Sequence, residues 1–335
     1  MAGYLLEAGK HDVSLLARGE RLAAIRERGL IVESHGRRLH SRPRVSAVPE
    51  DFGPQDVLFL TVKGHGLPAL ATALAPMIGP ETVVVSAQNG IPWWYFYGDA
   101  GPECDTPFEI VDPGGLAWRA IGPERALGCV IYLPAHIESA GIVQHEGISR
   151  LILGAPRAGQ HAAVLDCLAG ALSEAGIEVV LTEQIRHAVW SKLMLNGASA
   201  TLSVLTGSTV GQLQAGPGMP DIRARLKRET LATARAWNID LPDEIDQPPG
   251  AGVSGHKPSM LQDYEARRPL ELDAIVTSVI DLAARRRVPV PTIETLRSTL
   301  IVKLTTERYP GMTLPGVHPL QTITTASTFA AERAR

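Results

Sequence analysis

The segment Ala188-Val-Trp-Ser-Lys-Leu-Met-Leu-Asn-Gly197 predicts a helix, because its apolar residues recur at helical spacing and no proline interrupts it. Lys192 and Asn196 lie four residues apart, so both side chains project from the same face. Burial lowers the pKa of a lysine and makes it a usable proton donor near neutral pH. The alternative is a lysine at the helix edge, with a packed stem and a solvated ammonium group. The rest of the chain has to decide between the two.

The composition predicts an ordinary soluble, cytoplasmic protein. The chain has 335 residues, 45% of them hydrophobic and 20% charged, with a net charge of -3, which suits two domains with proper cores. No basic run stands apart from acidic neighbours, so nucleic acid is not an expected partner. No apolar stretch is long enough to span a membrane. The three cysteines are scattered and the histidines show no ligand spacing, so we expect neither disulfides nor a metal site.

The first half of the chain alternates predicted strands with predicted helices. Near-continuous apolar runs at 11–17, 57–62 and 82–86 indicate buried strands, and helical patterns fall at 20–28 and 68–77. This order predicts a parallel sheet covered on both faces. Short strands at 128–133, 141–143 and 151–154 are expected at a mixed sheet edge, and 30–33 with 38–40 as a hairpin. After 184 the patterns are helical: 221–237, 260–267, 270–286 and 292–304.

The fold class is therefore α/β, with a Rossmann-like dinucleotide-binding domain at 1–183 and an all-helical domain at 184–335. In such sheets ligands bind beyond the carboxyl ends of the strands. Arg18, Lys63 and Asn89 each follow a predicted strand, so we interpret them as parts of one site. In dinucleotide folds an arginine after the second strand accommodates the 2′-phosphate of NADP. An exposed loop arginine is the open alternative for Arg18.

Three motifs together resemble the ketopantoate reductase (2-dehydropantoate 2-reductase) family. They are Ser259-Met-Leu-Gln-Asp263 with Glu271 twelve positions after the serine, the Lys192/Asn196 helix, and the turn Gln88-Asn89-Gly90. The resemblance runs over nearly the whole chain. It implies NADPH-dependent reduction of a 2-keto acid to a 2-hydroxy acid, within pantothenate biosynthesis when the substrate is ketopantoate.

The resemblance also implies roles for individual residues. Lys192 would protonate the carbonyl oxygen of the substrate, and Glu271 would hold its hydroxyl group and help to fix the lysine. For Glu271 alone, a solvated helix acid is the competing interpretation. The remaining implied roles are substrate binding by Asn196 and Ser259, a position between nicotinamide and substrate for Asn89, and cofactor binding by Arg18 and Lys63. A homodimer is possible.

This sequence departs from the family pattern in its cofactor half. The family carries Gly-x-Gly-x-x-Gly after a first strand, and neither is present here. In the classic order that strand lies between the second and fourth strands, so we expect two central strands to lose a neighbour and the pyrophosphate to lose its helix N-terminus. We hypothesise that Met1 is an internal methionine of a longer protein. A chain that truly begins here is expected to bind NADPH weakly.

The substrate half departs too. Many family members have a second asparagine where this chain has Ala200, and residues 93–97 form an aromatic cluster, Trp-Trp-Tyr-Phe-Tyr. This cluster either lies at the mouth of the site, or it covers the sheet or forms a subunit contact. Both departures favour a 2-keto acid with a larger or more apolar side chain than ketopantoate.

Two other functions stay open. A β-hydroxyacid dehydrogenase also places Lys-x-x-x-Asn at the start of a helical domain, although the Ser259 to Glu271 block argues against it. A degenerate, non-catalytic binding protein would explain the missing glycine motif. We further expect a mobile loop at 241–257 and a loosely ordered tail at 309–335.

Overall fold

The computed structural model describes residues 1–242, 255 and 257–310. The expected mobile loop and loose tail lie largely outside these residues. The first half of the chain forms an α/β layer and the second half is helical, which confirms the predicted fold class. No helix among the described residues is long and apolar enough to cross a membrane.

A five-stranded sheet forms the centre of the α/β half. Its strand order is β11-β10-β7-β6-β5, and all neighbours are parallel except the antiparallel β7/β10 pair. Val84 packs in the core shared with the helical half, whereas Val85 packs in the core on the opposite face. This alternation follows from the two-residue period of a strand and buries both faces. The strands are β5 (Gln55–Leu60), β6 (Ile78–Ser86), β7 (Ala126–Tyr132), β10 (Arg150–Gly154) and β11 (Glu178–Leu181).

The first predicted strand does not join that sheet. It forms β1 (Ser14–Leu16), which pairs in parallel only with β4 (Arg44–Ser46). Among the described residues no strand hydrogen-bonds to both β1 and β5, as we expected for a sequence without the strand that joins them in the classic order. The described strands of the α/β half therefore form three separate sheets: the β1/β4 pair, the five-stranded sheet and a four-stranded sheet.

The third sheet has four strands. The predicted hairpin forms as β2 (Leu30–Ser34) and β3 (Arg37–Ser41), and it is extended by β9 (Ile142–His145) and β8 (Ala135–Ser139). We expected the segment at 141–143 to share a sheet edge with its neighbours in sequence, and this was wrong. Ile31 N donates to the carbonyl of Gly141 at 3.0 Å, and β9 then pairs along β2 instead.

Helices cover the five-stranded sheet and mostly agree with the sequence pattern. The predicted helix at 68–77 changes to a 3-10 helix at Thr72–Met77, because Pro76 lies inside it and has no N–H to donate. Gly9 ends the first helix in the left-handed conformation, with φ of 66°. The helices of this half are α1 (Ala2–Ala8), α2 (Gly19–Arg28), α3 (Leu67–Ala71), α4 (Leu116–Ile121) and α5 (Ala162–Glu174).

The helical half is built around a long buried helix, α6 (Ile185–Thr206), which contains the opening sequence segment. α6 packs against the helices that follow and, on its other side, against the sheet. The carboxylate of Glu229 accepts the N–H groups of Thr292 and Ile293 and so caps the last helix. The other helices are α7 (Val210–Ala215), α8 (Met219–Ala236), α9 (Ser259–Glu265), a π-helix (Asp273–Thr277), α10 (Ser278–Arg285) and α11 (Pro291–Thr306).

The aromatic cluster at 93–97 is part of the core and does not line the mouth of a site. Trp93, Trp94, Tyr95 and Phe96 are each no more than 2% exposed. The indole N–H of Trp190 donates to the Tyr95 hydroxyl at 2.7 Å. The cluster therefore caps the sheet and joins it to the helical half, which is the second of the two interpretations.

Candidate active site

Lys192 projects from α6 toward the sheet and is largely buried. Its ammonium group donates a hydrogen bond to the backbone carbonyl of Ile131 on β7. It also lies 5.3 Å from the centre of the Tyr132 ring. Burial lowers the pKa of Lys192 from 10.5 to about 8, against smaller opposing effects of Cys129 and Glu271. The solvated alternative for this lysine is therefore wrong.

Glu271 is the buried acid of the site, with 5% of its surface exposed. Its Oε2 lies 3.2 Å from the Lys63 ammonium, and its Oε1 accepts the N–H of Gly64 at 3.2 Å. The interpretation of Glu271 as a solvated helix acid is therefore wrong. We had expected Glu271 to fix Lys192, but its direct partner is Lys63. Its charge reaches Lys192 only at longer range, where it raises the pKa of that lysine.

The Gln88-Asn89-Gly90 turn brings Asn89 to the same acid. Asn89 Nδ2 lies 3.5 Å from Glu271 Oε2. Gly90 has φ of 82°, and a Cβ there would stand 2.3 Å from the carbonyl oxygen of Ala274, so no other residue fits without moving the backbone. Ile91 N donates to the same Ala274 oxygen at 2.8 Å. The turn after β6 is thus fastened to the segment that carries Glu271.

This fastening accounts for a departure from the predicted helix at 270–286. The chain makes a π-helix at Asp273–Thr277 before α10 begins. Because the Ala274 carbonyl also accepts the Ile91 N–H and the Ser278 hydroxyl, the regular helical ladder is interrupted there. Insertions of this kind in helices are frequent at functional sites.

A small, open cleft lies beside Lys192. Its walls combine aliphatic side chains with a few polar groups, which is the usual character of a small-molecule site. The lining residues are Gln88, Gly90, Val130, Val189, Lys192 and Leu193.

The other predicted site residues lie farther out. Asn196 is half-buried one turn beyond Lys192, and Ser259 is exposed as the first residue of α9. Arg18 is exposed at the start of α2, after the strand that belongs to the separate two-stranded sheet. The structure therefore brings Lys63, Asn89 and Glu271 into contact, places Lys192 at the neighbouring strand, and leaves Arg18 apart from them.

Comparison with known sequences decides the family. The sequence model described as the C-terminal part of ketopantoate reductase PanE/ApbA matches residues 184–303, and the model described as ketopantoate reductase PanE/ApbA matches residues 1–158. The chain is also 36% identical over 310 residues to a 2-dehydropantoate 2-reductase of Mesorhizobium japonicum, covering 92% of this chain and 94% of that one.

The chain belongs to the ketopantoate reductase family. Members of this family are dinucleotide-dependent oxidoreductases. A crystal structure of a candidate ketopantoate reductase from Ralstonia solanacearum is 32% identical, with a TM-score of 0.82 over 92% of this chain and 94% of that one. A D-mandelate dehydrogenase complex with NADH and anilino(oxo)acetate is 20% identical, with a TM-score of 0.78 over 92% of this chain and 95% of that one, and shares the fold.

One buried group of this family member escaped the sequence interpretation. Asp263 is 3% exposed, and its Oδ2 lies 2.7 Å from the Lys63 ammonium. This distance is shorter than the 3.2 Å between Lys63 and Glu271. Arg268 Nε donates to the other carboxylate oxygen at 3.0 Å. The signal was present in the sequence, since an acid stands beside the apolar residues of Ser259-Met-Leu-Gln-Asp263.

The cleft has a donor set that fits the nicotinamide end of a dinucleotide. Gln88 lines the cleft together with the aliphatic side chains of Val130 and Val189, and Asn89 immediately precedes Gly90, another lining residue. A flat ring that carries an amide matches apolar faces with a few polar groups at the edge.

Proposed function

We propose that this protein reduces a 2-keto acid, ketopantoate or a related one, to the 2-hydroxy acid, with Lys192 as the proton donor. The observation that carries the proposal is the state of Lys192: a lysine beside a cleft, largely buried, hydrogen-bonded to the neutral Ile131 carbonyl, with a pKa of about 8. A donor with a pKa near the working pH transfers its proton readily.

Reduction of the keto group needs a positively charged group beside the carbonyl oxygen of the substrate. A reduced nicotinamide, when bound, supplies the hydride. Negative charge then builds on the former carbonyl oxygen of the substrate, where the Lys192 ammonium stabilises it and donates one proton. The neutral amine left behind regains a proton from solvent, which a pKa of about 8 permits at neutral pH.

Glu271 and Asn89 would orient the substrate. The Glu271 carboxylate is held by the N–H of Gly64 and by Lys63, and it could still accept a hydrogen bond from a substrate hydroxyl. Asn89 contacts this acid and is followed by Gly90, which lines the cleft, so it is proposed to contact both substrate and cofactor. Asn196 and Ser259 are proposed to bind the polar groups of the substrate.

NADP is the proposed cofactor, and Arg18 supports this choice. Arg18 follows β1 and is exposed, so its guanidinium can meet a 2′-phosphate. Lys63 was predicted to share that task, but both of its bonded partners are buried carboxylates. We therefore assign the 2′-phosphate mainly to Arg18.

The substrate side chain is proposed to be more apolar than that of ketopantoate. Ala200 is 3% exposed and stands on α6 where many family members carry a second asparagine. A methyl group there removes a hydrogen-bond donor and leaves an apolar surface.

The test is an NADPH and NADH oxidation screen over 2-keto acids of increasing side-chain size. We expect turnover of at least one 2-keto acid, and its loss in Lys192→Ala. If the protein oxidises 3-hydroxy acids in preference to reducing 2-keto acids, this would favour a β-hydroxyacid dehydrogenase. Binding without any turnover would indicate a non-catalytic protein and contradict the proposal.

A further inference from the structure

A cluster of four alternating charges spans the contact between the α/β layer and the helical half. Lys63 follows β5 in the α/β layer, whereas Asp263, Arg268 and Glu271 belong to the helical half. Lys63 lies 2.7 Å from Asp263 and 3.2 Å from Glu271, and Arg268 lies 3.0 Å from Asp263. Two cations and two carboxylates therefore make an electrically neutral set.

The carboxylates of Asp263 and Glu271 differ in the lengths of their contacts with neighbouring groups. Arg268 bonds one carboxylate oxygen of Asp263 and Lys63 bonds the other, and Tyr309 donates its hydroxyl to the Asp263 backbone carbonyl at 3.0 Å. On Glu271, Oε2 has the longer contacts, 3.2 Å to Lys63 and 3.5 Å to Asn89. Asp263 is thus the main anchor of the Lys63 ammonium.

We propose that Asp263 is a positioning residue, which draws the Lys63 ammonium toward itself, so that the contact of Lys63 with Glu271 Oε2 stays at 3.2 Å and this oxygen can still accept the hydroxyl group of the substrate. The proposal rests on the function proposed above. When the Asp263 charge is removed, Glu271 is the nearest anion left to Lys63. The ammonium then moves closer to Glu271 Oε2, because Glu271 is the remaining carboxylate that it already contacts. The substrate hydroxyl has to compete with it.

The experiment compares Asp263→Asn with the wild-type chain at saturating cofactor. We expect KM for the 2-keto acid to rise about tenfold, which corresponds to a coupling of the size found between neighbouring charges, while kcat changes by less than about threefold. Asp112→Asn is the matched control. Asp112 is also fully buried, but it accepts the N–H groups of Ala117 and Trp118 at the start of α4, so it should lower stability and leave KM unchanged.

Repeating the Asp263→Asn substitution in a Lys63→Met variant shows whether Asp263 acts through Lys63. In Lys63→Met no ammonium remains to close on Glu271, so adding Asp263→Asn should change KM by less than about threefold. The double variant removes one charge of each sign, and it should fold even if Asp263→Asn alone does not. A rise in KM as large in the Lys63→Met background as in the wild type would overturn the proposal, and so would an unchanged KM in folded Asp263→Asn.

The proposed function and this inference fail in different ways. If the wild-type chain reduces no 2-keto acid, the proposed function is wrong. The anchoring of Lys63 by Asp263 is then tested by measuring stability in denaturant unfolding. We expect the loss of stability caused by Asp263→Asn to shrink at least about twofold in the Lys63→Met background. An equal loss in both backgrounds would show that Asp263 does not anchor Lys63.

Discussion

The Lys192 ammonium is hydrogen-bonded to the backbone carbonyl of Ile131, and this acceptor carries no charge. A carboxylate in the same place would hold the lysine fully protonated far above neutral pH. The carbonyl gives direction to the ammonium without doing so, and burial is then free to lower its pKa to about 8. A buried lysine of this kind costs stability and gains reactivity.

Replacing Lys192 by alanine should lower kcat for reduction by about 10²- to 10⁴-fold, the usual contribution of a positioned acid. Lys192→Arg should not restore activity, because a guanidinium does not release its proton near neutral pH. Steady-state kinetics measures both. Lys10→Ala, at an exposed ion pair with Glu174, is the control and should behave like the wild type. Near-normal kcat in Lys192→Ala would exclude this lysine as the donor.

The rate of reduction should depend on pH through Lys192. The donor must be protonated, so kcat should be constant below its pKa of about 8 and fall about tenfold per pH unit above it. A pH profile of kcat with saturating substrates measures this. A profile flat from pH 7 to 10 would be inconsistent with Lys192 as the titrating acid.

Lys192 should also make the stability of the folded protein depend on pH, and stability should rise over the pH range in which activity falls. Its folded pKa of about 8 lies below the ordinary 10.5, so between these values the unfolded chain binds more protons and stability rises with pH. At pH 7 the penalty is roughly 3 kcal/mol. Lys192→Met removes it and loses one hydrogen bond, so we expect a net gain of about 1–2 kcal/mol. Urea unfolding at pH 7 and pH 10 should show that gain and its decline at the higher pH.

Glu271→Gln should weaken substrate use more than folding. We expect kcat/KM to fall about 10- to 100-fold, because a charge-assisted hydrogen bond to the substrate is lost. The loss of stability should be modest, about 1 kcal/mol, since Lys63 is partly exposed and keeps Asp263 as its partner. Glu265→Gln, at an exposed pair with Lys257, serves as the comparison. Equal kinetic losses in the two variants would remove Glu271 from the site.

Arg18→Ala tests the cofactor assignment. KM for NADPH should rise about tenfold while KM for NADH stays the same, because only NADPH carries the 2′-phosphate. Arg21→Ala, an exposed arginine on the same helix, should leave both constants unchanged. A parallel rise for both cofactors would place Arg18 at a part of the dinucleotide that the two share.

The sequence alone determined the elements and the type of chemistry. Apolar runs and helical spacing gave the α/β half and the helix that carries Lys192, because these signals are local and depend on short-range periodicity. The motifs around Asn89 and Ser259 gave the family, which the comparisons confirm.

Only the tertiary structure decided the partners of each group. Lys63 pairs with acids 200 and 208 positions away, Lys192 bonds a backbone carbonyl on a different element, and residues 93–97 turn inward as core. β1 also lies apart from β5. Burial, charge pairing and strand order depend on how distant segments pack, and a one-dimensional pattern does not carry that information.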